Sequence, residues 1–359
     1  MTGLELFFQY IVAGLTRGSI YAVIAIGFNI IYNATGIINF AQGEFVVLGA
    51  LIGITFASFI PLPLAILLAV VLAALYGAIV EIVFIRYERR FSALRALGIS
   101  VLIFAFLALA GFVPDQFLAF SLINWLILLL LVACALGLGL LIELVFNNYM
   151  KERNILRLII ITIGVSILTR EAMDHVWGKE AYAFPFFSGN EVSSVSLGNI
   201  QFSPQLLWIL GTLLLIVIAL YAFFKFSLWG KAMRATSLDR QAARLCGINT
   251  RFLITLSFII SAGMGALAGI VTSPLTQTKY DMGAHLAING FAVAILGGLG
   301  NSFAAALAGL YLGILEALSV AILPNAFKDI VAILILLGVL FIRPAGIFGS
   351  QKESALRDF

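Results

Sequence analysis

Apolar residues run along this chain in long blocks, separated by short polar turns that carry glycine or proline. Most blocks approach the roughly 20 residues an α-helix needs to cross a bilayer core. They predict helical spans at 8–32, 37–59, 63–85, 97–113, 117–146, 155–177, 204–224, 252–273, 284–299, 302–321 and 327–343. Gly36, Pro61, Pro114, Pro274, Gly300 and Pro324 punctuate the turns. The 97–113 and 284–299 blocks are short for a full crossing and fit tilted or broken helices. Ten-residue alternation of the barrel kind is absent, so the expected fold is an all-α polytopic membrane bundle of about 11 spans. One interruption is long, Gly178 to Ser203. In it "VSLGNIQF" places Gly198-Asn199 between two short alternating runs, a hairpin signal. A small extracytoplasmic cap fits this loop, with a disordered linker as the alternative.

Composition agrees with the pattern. Of 359 residues, 62% are hydrophobic and 11% charged, too few charges for a surface that faces water throughout. No n-region, apolar core and cleavage site precede the first span, so no removable signal peptide is expected. Cys134 and Cys246 do not read as a disulfide pair.

Charge predicts the orientation. Arg86, Arg89, Arg90 and Arg95 share one loop, and Lys151, Arg153 and Arg157 another. Lys225, Lys231, Arg234, Arg240, Arg244 and Arg251 share a third, and Arg343, Lys352 and Arg357 lie at the C-terminal end. Threading the spans alternately puts all four groups on one side. The other side keeps Lys179, Lys279 and Lys328, with Arg17 and Arg170 near span ends. The positive-inside rule makes the rich side cytoplasmic, with the N-terminus outside and the C-terminus inside. The basic excess therefore marks membrane topology, and no nucleic-acid partner is expected.

Two segments repeat. Gly77, Glu81, Val83, Phe84 and Tyr87 recur at the same spacing as Gly139, Glu143, Val145, Phe146 and Tyr149. This pattern reads as a duplicated hairpin. "GALIG", "GALAG" and "GLYLG" (Gly49/Gly53, Gly265/Gly269, Gly309/Gly313) are small-residue faces that let helix backbones approach closely.

Enzyme chemistry is not expected. There is no G-x-x-x-x-G-K-[ST] phosphate loop, and the two histidines, His175 and His285, form no metal-ligand spacing. Ionisable or polar residues inside spans are functional candidates by default. Asn39, Gln42 and Glu44, grouped at the entry of the second span, are candidates for a translocation pathway, the alternative being an interfacial helix start capped by Thr35 or Asn39. Glu316 is a fourth, for which a packing hydrogen bond is the competing role. Glu81 and Glu143 are expected to pair with, or snorkel to, the nearby basic ends.

The stretch "WGKAMRATSLDRQAARLCGINTR", residues 229–251, is charged within an otherwise apolar chain. Thr236 with Asp239 three residues on reads as a capping-box-like start, and Gly247 as the stop. Leu238, Ala242 and Leu245 share one face of the resulting helix of about ten residues, with Arg240 and Arg244 directed at charge or solvent. The competing reading is a basic loop that only fixes topology.

These segments carry a resemblance. "GLTRGSIYAVIAIGFNIIYNATGIINFAQGEF", "GKAMRATSLDRQAARLCGINT" and "AILGGLGNSFAAALAGLYLGILEAL" followed by "FKDIVAILILLGVLFIRPAGIFG" resemble the LivH-type permeases of branched-chain amino acid ABC importers. The resemblance implies one transmembrane permease domain over 1–359, in the bacterial inner membrane. It implies four kinds of partner: a second, LivM-like permease, two cytoplasmic ATPase subunits that bind the ATP, a periplasmic substrate-binding protein and the lipid bilayer. No cofactor of its own is implied. The basic loop 225–251 would then be the segment that couples to the ATPase, through Lys231, Arg234, Asp239, Arg240, Ala242, Arg244, Leu245 and Gly247. Departures fall at Gln42, where such families usually carry His, at Arg17, where they carry an apolar residue, and at Leu238, where an acid is common. The hairpin at 97–146 looks additional. Alternatives are a permease for urea, amides or other amino acids, or an ATP-independent secondary transporter using Glu316 or Glu44.

Overall fold

A computed structural model describes residues 3–85, 155–189, 193–197, 200–321, 324, 328–343 and 346–347. The expected spans 97–113 and 117–146, the additional hairpin 97–146 and Glu143 lie outside the described residues. Contacts divide the chain into two units, one of residues 1–81 with 162–359 and one of Ile82–Ile161. Of the second, only 82–85 and 155–161 are described, ends of two apolar helices.

The described helices are α1 (Gly3–Thr35), α2 (Gln42–Ala57), α3 (Leu62–Val80, followed by a π turn over Glu81–Ile85), α4 (Ile155–Trp177), α5 (Gln205–Phe226), α6 (Leu228–Leu238), α7 (Arg240–Leu245), α8 (Thr250–Thr276), α9 (Met282–Gly297), α10 (Ser302–Val320) and α11 (Lys328–Ile342). Among the described residues, α1, α3 with its π turn, α5, α8 and α10 are long and apolar enough to cross a membrane; α2, α9 and part of α11 are shorter apolar helices. The last two turns of α4 carry Arg170, Glu171 and Asp174. This is the expected all-α membrane bundle.

α1 is the axis of the first unit. At about 1.5 Å per residue it is some 50 Å long, and every residue from Gly18 to Ile31 is buried. Two of its hydroxyls are satisfied within the helix: Ser19 Oγ donates to the Leu15 carbonyl at 2.7 Å and Thr16 Oγ1 to the Val12 carbonyl at 3.2 Å. α10 runs antiparallel along it, with glycine against backbone. A Cβ on Gly309 would lie 2.6 Å from Ala22 Cα, and one on Gly18 2.7 Å from the Gly309 carbonyl oxygen. The three small-residue faces thus do bring backbones together. Gly49 meets Ala266, Gly269 meets the Val46 backbone, and Gly313 meets Gly18.

Between α1 and α2 the chain departs from the expected span 37–59, because residues 36–41 are not helical and α2 begins at Gln42. The break lies within the protein and is satisfied there. Thr35 Oγ1 accepts from Ile37 N at 3.1 Å, and Asn39 Oδ1 accepts from Ala41 N at 3.2 Å. Irregular backbone at such depth is tolerated where protein covers it. The α9–α10 turn is held in a similar way by α1: Asn29 Oδ1 accepts from Gly300 N at 3.0 Å, and Asn33 Nδ2 donates to the Gly300 carbonyl at 2.7 Å.

The expected hairpin is formed. β1 (Val195–Leu197) pairs antiparallel with β2 (Ile200–Phe202), Val195 opposite Phe202. Earlier in the same loop Tyr182 bridges Thr278, and Phe184, 1% exposed, is set among α2, α3 and α8 with its N–H donated to Ser273 Oγ at 3.1 Å.

Candidate functional site

α1, α2, α8 and α9 line a half-open cavity of about 520 Å³. α1 contributes Thr16, Arg17, Ile20 and Tyr21, and α8 contributes Thr272 and Thr276, followed by Gln277 and Thr278. Val46 and Val47 of α2 and Leu286 of α9 form an apolar wall. Gln277 has φ 51°, the only positive φ outside glycine among the described residues. Such strained backbone is characteristically found at functional sites.

The polar side of this cavity is organised from α10. Arg17 Nη1 lies 3.6 Å from Glu316 Oε1; the arginine side chain is 41% exposed and the glutamate 1%. The buried carboxylate is thus paired with a guanidinium that is partly exposed and lines the cavity. Asn289 Nδ2 donates to Tyr21 Oη at 3.3 Å and lies 3.3 Å from His285 Nε2. Three threonines on this lining donate to their own helices. Thr16 uses the Val12 carbonyl, Thr272 the Ala268 carbonyl at 2.8 Å, and Thr276 the Thr272 carbonyl at 3.1 Å. Once a hydroxyl hydrogen is committed in this way, its oxygen presents acceptor lone pairs only.

The four pathway candidates fall in different places. Gln42 is clamped to α8: Ser261 Oγ donates to Gln42 Oε1 at 2.7 Å, and Gln42 Nε2 donates to the Ser261 carbonyl at 3.3 Å. Asn39 is buried in the α1–α2 break. Glu44 is buried, with Ser166 Oγ donating to Oε1 at 2.8 Å and Oε2 packed against Gly283. None of these three lines the cavity, and Glu316 borders it through Arg17 and Tyr21. The basic residues expected to pair with Glu81 lie outside the described residues. Glu81 is buried and accepts from Thr255 Oγ1 at 2.7 Å. Sequence reasoning does not single out Arg17, Tyr21, Thr272 or Gln277, which line this cavity, or Asn289, which bonds Tyr21. An arginine inside an apolar helix is signal enough for Arg17.

A second place of interest is the charged loop. Its expected single helix is two, α6 and α7, at an elbow on Asp239, whose backbone is extended (φ −150°, ψ 114°). Thr236 is no cap; it lies buried inside α6 and donates to the Ala232 carbonyl at 2.9 Å. Asp239 itself caps α7, accepting from Gln241 N at 2.7 Å and Ala242 N at 3.0 Å. Gly247, at φ 81°, ends α7 as expected: its N–H reaches the Arg244 carbonyl and that of Ile248 the Ala243 carbonyl.

Arginines tie this elbow to the bundle, Arg234 and Arg244 while remaining exposed. Arg240 Nη2 donates to the Ala34 carbonyl at the C-terminal end of α1, 2.6 Å away. Arg234 donates to the Phe224 carbonyl near the end of α5, and Arg244 Nε to Thr250 Oγ1 at the start of α8, 3.0 Å away. Cations at helix C-termini also complement the macrodipole. Met233, Thr236 and Ala243 face inward. Lys231 and Ala242 are exposed, and Leu238 and Leu245 are exposed by 85% and 90%.

The model of the branched-chain amino acid transport system / permease component family matches residues 10–116 and 90–340. Over 356 residues the chain is 32% identical to the high-affinity branched-chain amino acid transport system permease protein LivH of Escherichia coli (strain K12), covering 96% of each. It is 29% identical over 349 residues to the permease protein BraD of Pseudomonas aeruginosa, covering 96% of this chain and 97% of that one. Similarity to the autoinducer 2 import system permease protein LsrC of Salmonella choleraesuis is confined to 120 residues at 32% identity, 31% of this chain and 35% of that protein. No solved structure matches.

Proposed function

We propose that this chain, which belongs to the family of branched-chain amino acid transport system permease components, is the membrane-spanning subunit of a binding-protein-dependent ABC importer of branched-chain amino acids. It is a multi-pass protein of the bacterial inner membrane. Its partners are a second permease, two cytoplasmic ATPase subunits that bind and hydrolyse ATP, and a periplasmic binding protein that delivers substrate. The N-terminus is outside and the C-terminus cytoplasmic.

The observation that carries this reading is the anchored elbow, in a chain similar along its length to such permeases. α6 and α7 offer two exposed leucines outward while Arg234, Arg240 and Arg244 grip the ends of three long helices. A part so built transmits a push from a docked partner to α1, α5 and α8 together. α1 carries Arg17 and Tyr21 into the cavity, so a displacement at the elbow reaches the cavity wall along one rigid element. This geometry supports alternating access driven from the elbow.

The test uses the assembled transporter of both permeases and both ATPases in nanodiscs. Binding protein loaded with leucine, isoleucine or valine is expected to stimulate ATP hydrolysis several-fold, and binding protein offered urea or small amides to leave it at the basal rate. Stimulation by urea or amides alone overturns the substrate assignment.

A further inference from the structure

We propose that the cavity between α1, α2, α8 and α9 is a transit site for the zwitterionic substrate, with Arg17 as the anchor for its carboxylate. The inference rests on the amino-acid importer reading and goes beyond it, by saying which atoms receive the substrate in the membrane and what charge they select.

Three features of the lining correspond to the three parts of an aliphatic α-amino acid. Arg17 lines the cavity with a partly exposed side chain, and a guanidinium is a planar fork of donors that matches a carboxylate. Thr16, Thr272 and Thr276 have committed their hydroxyl hydrogens to their own helices, which leaves oxygens that accept from an ammonium group. Ile20, Val46 and Leu286 supply an apolar wall for the side chain.

Glu316 decides the selectivity. Because its carboxylate stands 3.6 Å from the guanidinium, the pair brings almost no net charge to the cavity. A lone arginine there would favour an anion and bind it too well for passage. The compensated arginine still offers directed hydrogen bonds, which suits a zwitterion of zero net charge. The volume of about 520 Å³ exceeds that of one leucine and leaves room for accompanying water. Loose binding of this kind is what a transit site needs, since the substrate must also leave.

The test is protection from a thiol reagent in the complete assembly, without ATP and without binding protein. Cys134→Ser and Cys246→Ser remove the native thiols, and Ala13→Cys places a reporter on the cavity lining one turn from Arg17. L-leucine is expected to slow labelling of the reporter by a methanethiosulfonate, 4-methylpentanoate to do so less well, and isopentylamine, which lacks the carboxylate, hardly at all. Arg17→Gln is expected to raise the leucine concentration for half-protection about tenfold or more, the worth of a charge-assisted hydrogen-bonded pair. Glu316→Gln is expected to bring 4-methylpentanoate level with leucine or beyond it. Equal protection by isopentylamine, no protection by leucine, or an unchanged half-protection concentration in Arg17→Gln overturns the proposal. Leucine uptake by the same assembly supplied with binding protein and ATP separates the two readings. Uptake without protection sinks only the transit site, whereas absence of uptake of any aliphatic amino acid removes the importer reading beneath it.

Discussion

Gly313→Leu is expected to leave no folded, monodisperse protein after detergent extraction, while Gly211→Leu leaves yield and melting temperature unchanged. At Gly313 a side chain has nowhere to go: its Cβ would meet the Cα and N of Gly18 and lie 2.5 Å from the Gly14 carbonyl oxygen. These are backbone atoms, so no rotamer change on the α1 side relieves the overlap. α10 would have to leave α1, and that contact is the axis of the bundle. Overpacking a core costs typically about 1–3 kcal/mol when neighbours can shift. Here two helix backbones must separate, and the paired glycines above and below (Gly309 on Ala22, Gly14 on Ile314) are pried apart with them. Gly211 on α5 has nothing near its missing side chain. Leucine there adds apolar surface towards lipid and improves helix propensity. A difference in monodispersity between the two variants tests the close-packed axis; an intact Gly313→Leu protein would show that α1 and α10 do not meet along these glycines.

The second large effect belongs to the elbow. Leu245→Asp, alone or with Leu238→Asp, is expected to give a normally inserted permease that no longer retains its ATPase subunits through purification. Both leucines are almost fully exposed in the chain itself, so the substitutions leave its own packing alone. They also leave Arg234, Arg240 and Arg244 on the carbonyl and hydroxyl oxygens they hold. Against a partner groove the same change strands an unpaired carboxylate, a loss of about 3 kcal/mol or more, or roughly two orders of magnitude in affinity. The basic residues that set topology remain in place. Unaltered co-purification and wild-type transport rates would reduce the elbow to a topology determinant.

Much of this architecture is legible in the chain, and the reasons differ by element. Long apolar blocks announce helices because every backbone group in a bilayer must be bonded within its own segment. Gly309 and Gly313 announce a close approach, though nothing local names Gly18 and Ala22 as what they meet. The break over 36–41 is closed partly by its own neighbours, Thr35 on Ile37 N and Asn39 on Ala41 N, but partly by Thr162, which accepts from Phe40 N and is remote in sequence. Gln42 depends on Ser261, which is remote in sequence. The elbow is ambiguous in sequence for a subtler reason. Thr236 and Asp239 both have capping side chains, and local spacing allows a start at either. Packing decides: Met233 and Thr236 are drawn into the bundle, which continues α6 to Leu238 and leaves Asp239 to begin α7. Arg17 and Glu316 are both visible as charges in apolar helices. Their meeting follows only from the antiparallel register of α1 and α10, and so the cavity is out of reach of the sequence.

The central claim is that this chain moves substrate only as the membrane part of an ATP-driven assembly. The most direct measurement is radiolabelled leucine uptake into proteoliposomes, comparing this chain alone with the full assembly of both permeases, ATP enclosed with the ATPases, and binding protein outside. The expected result is accumulation by the assembly that depends on ATP and on binding protein, and none by the chain alone under an imposed proton or sodium gradient. Gradient-driven accumulation by the chain alone would contradict it.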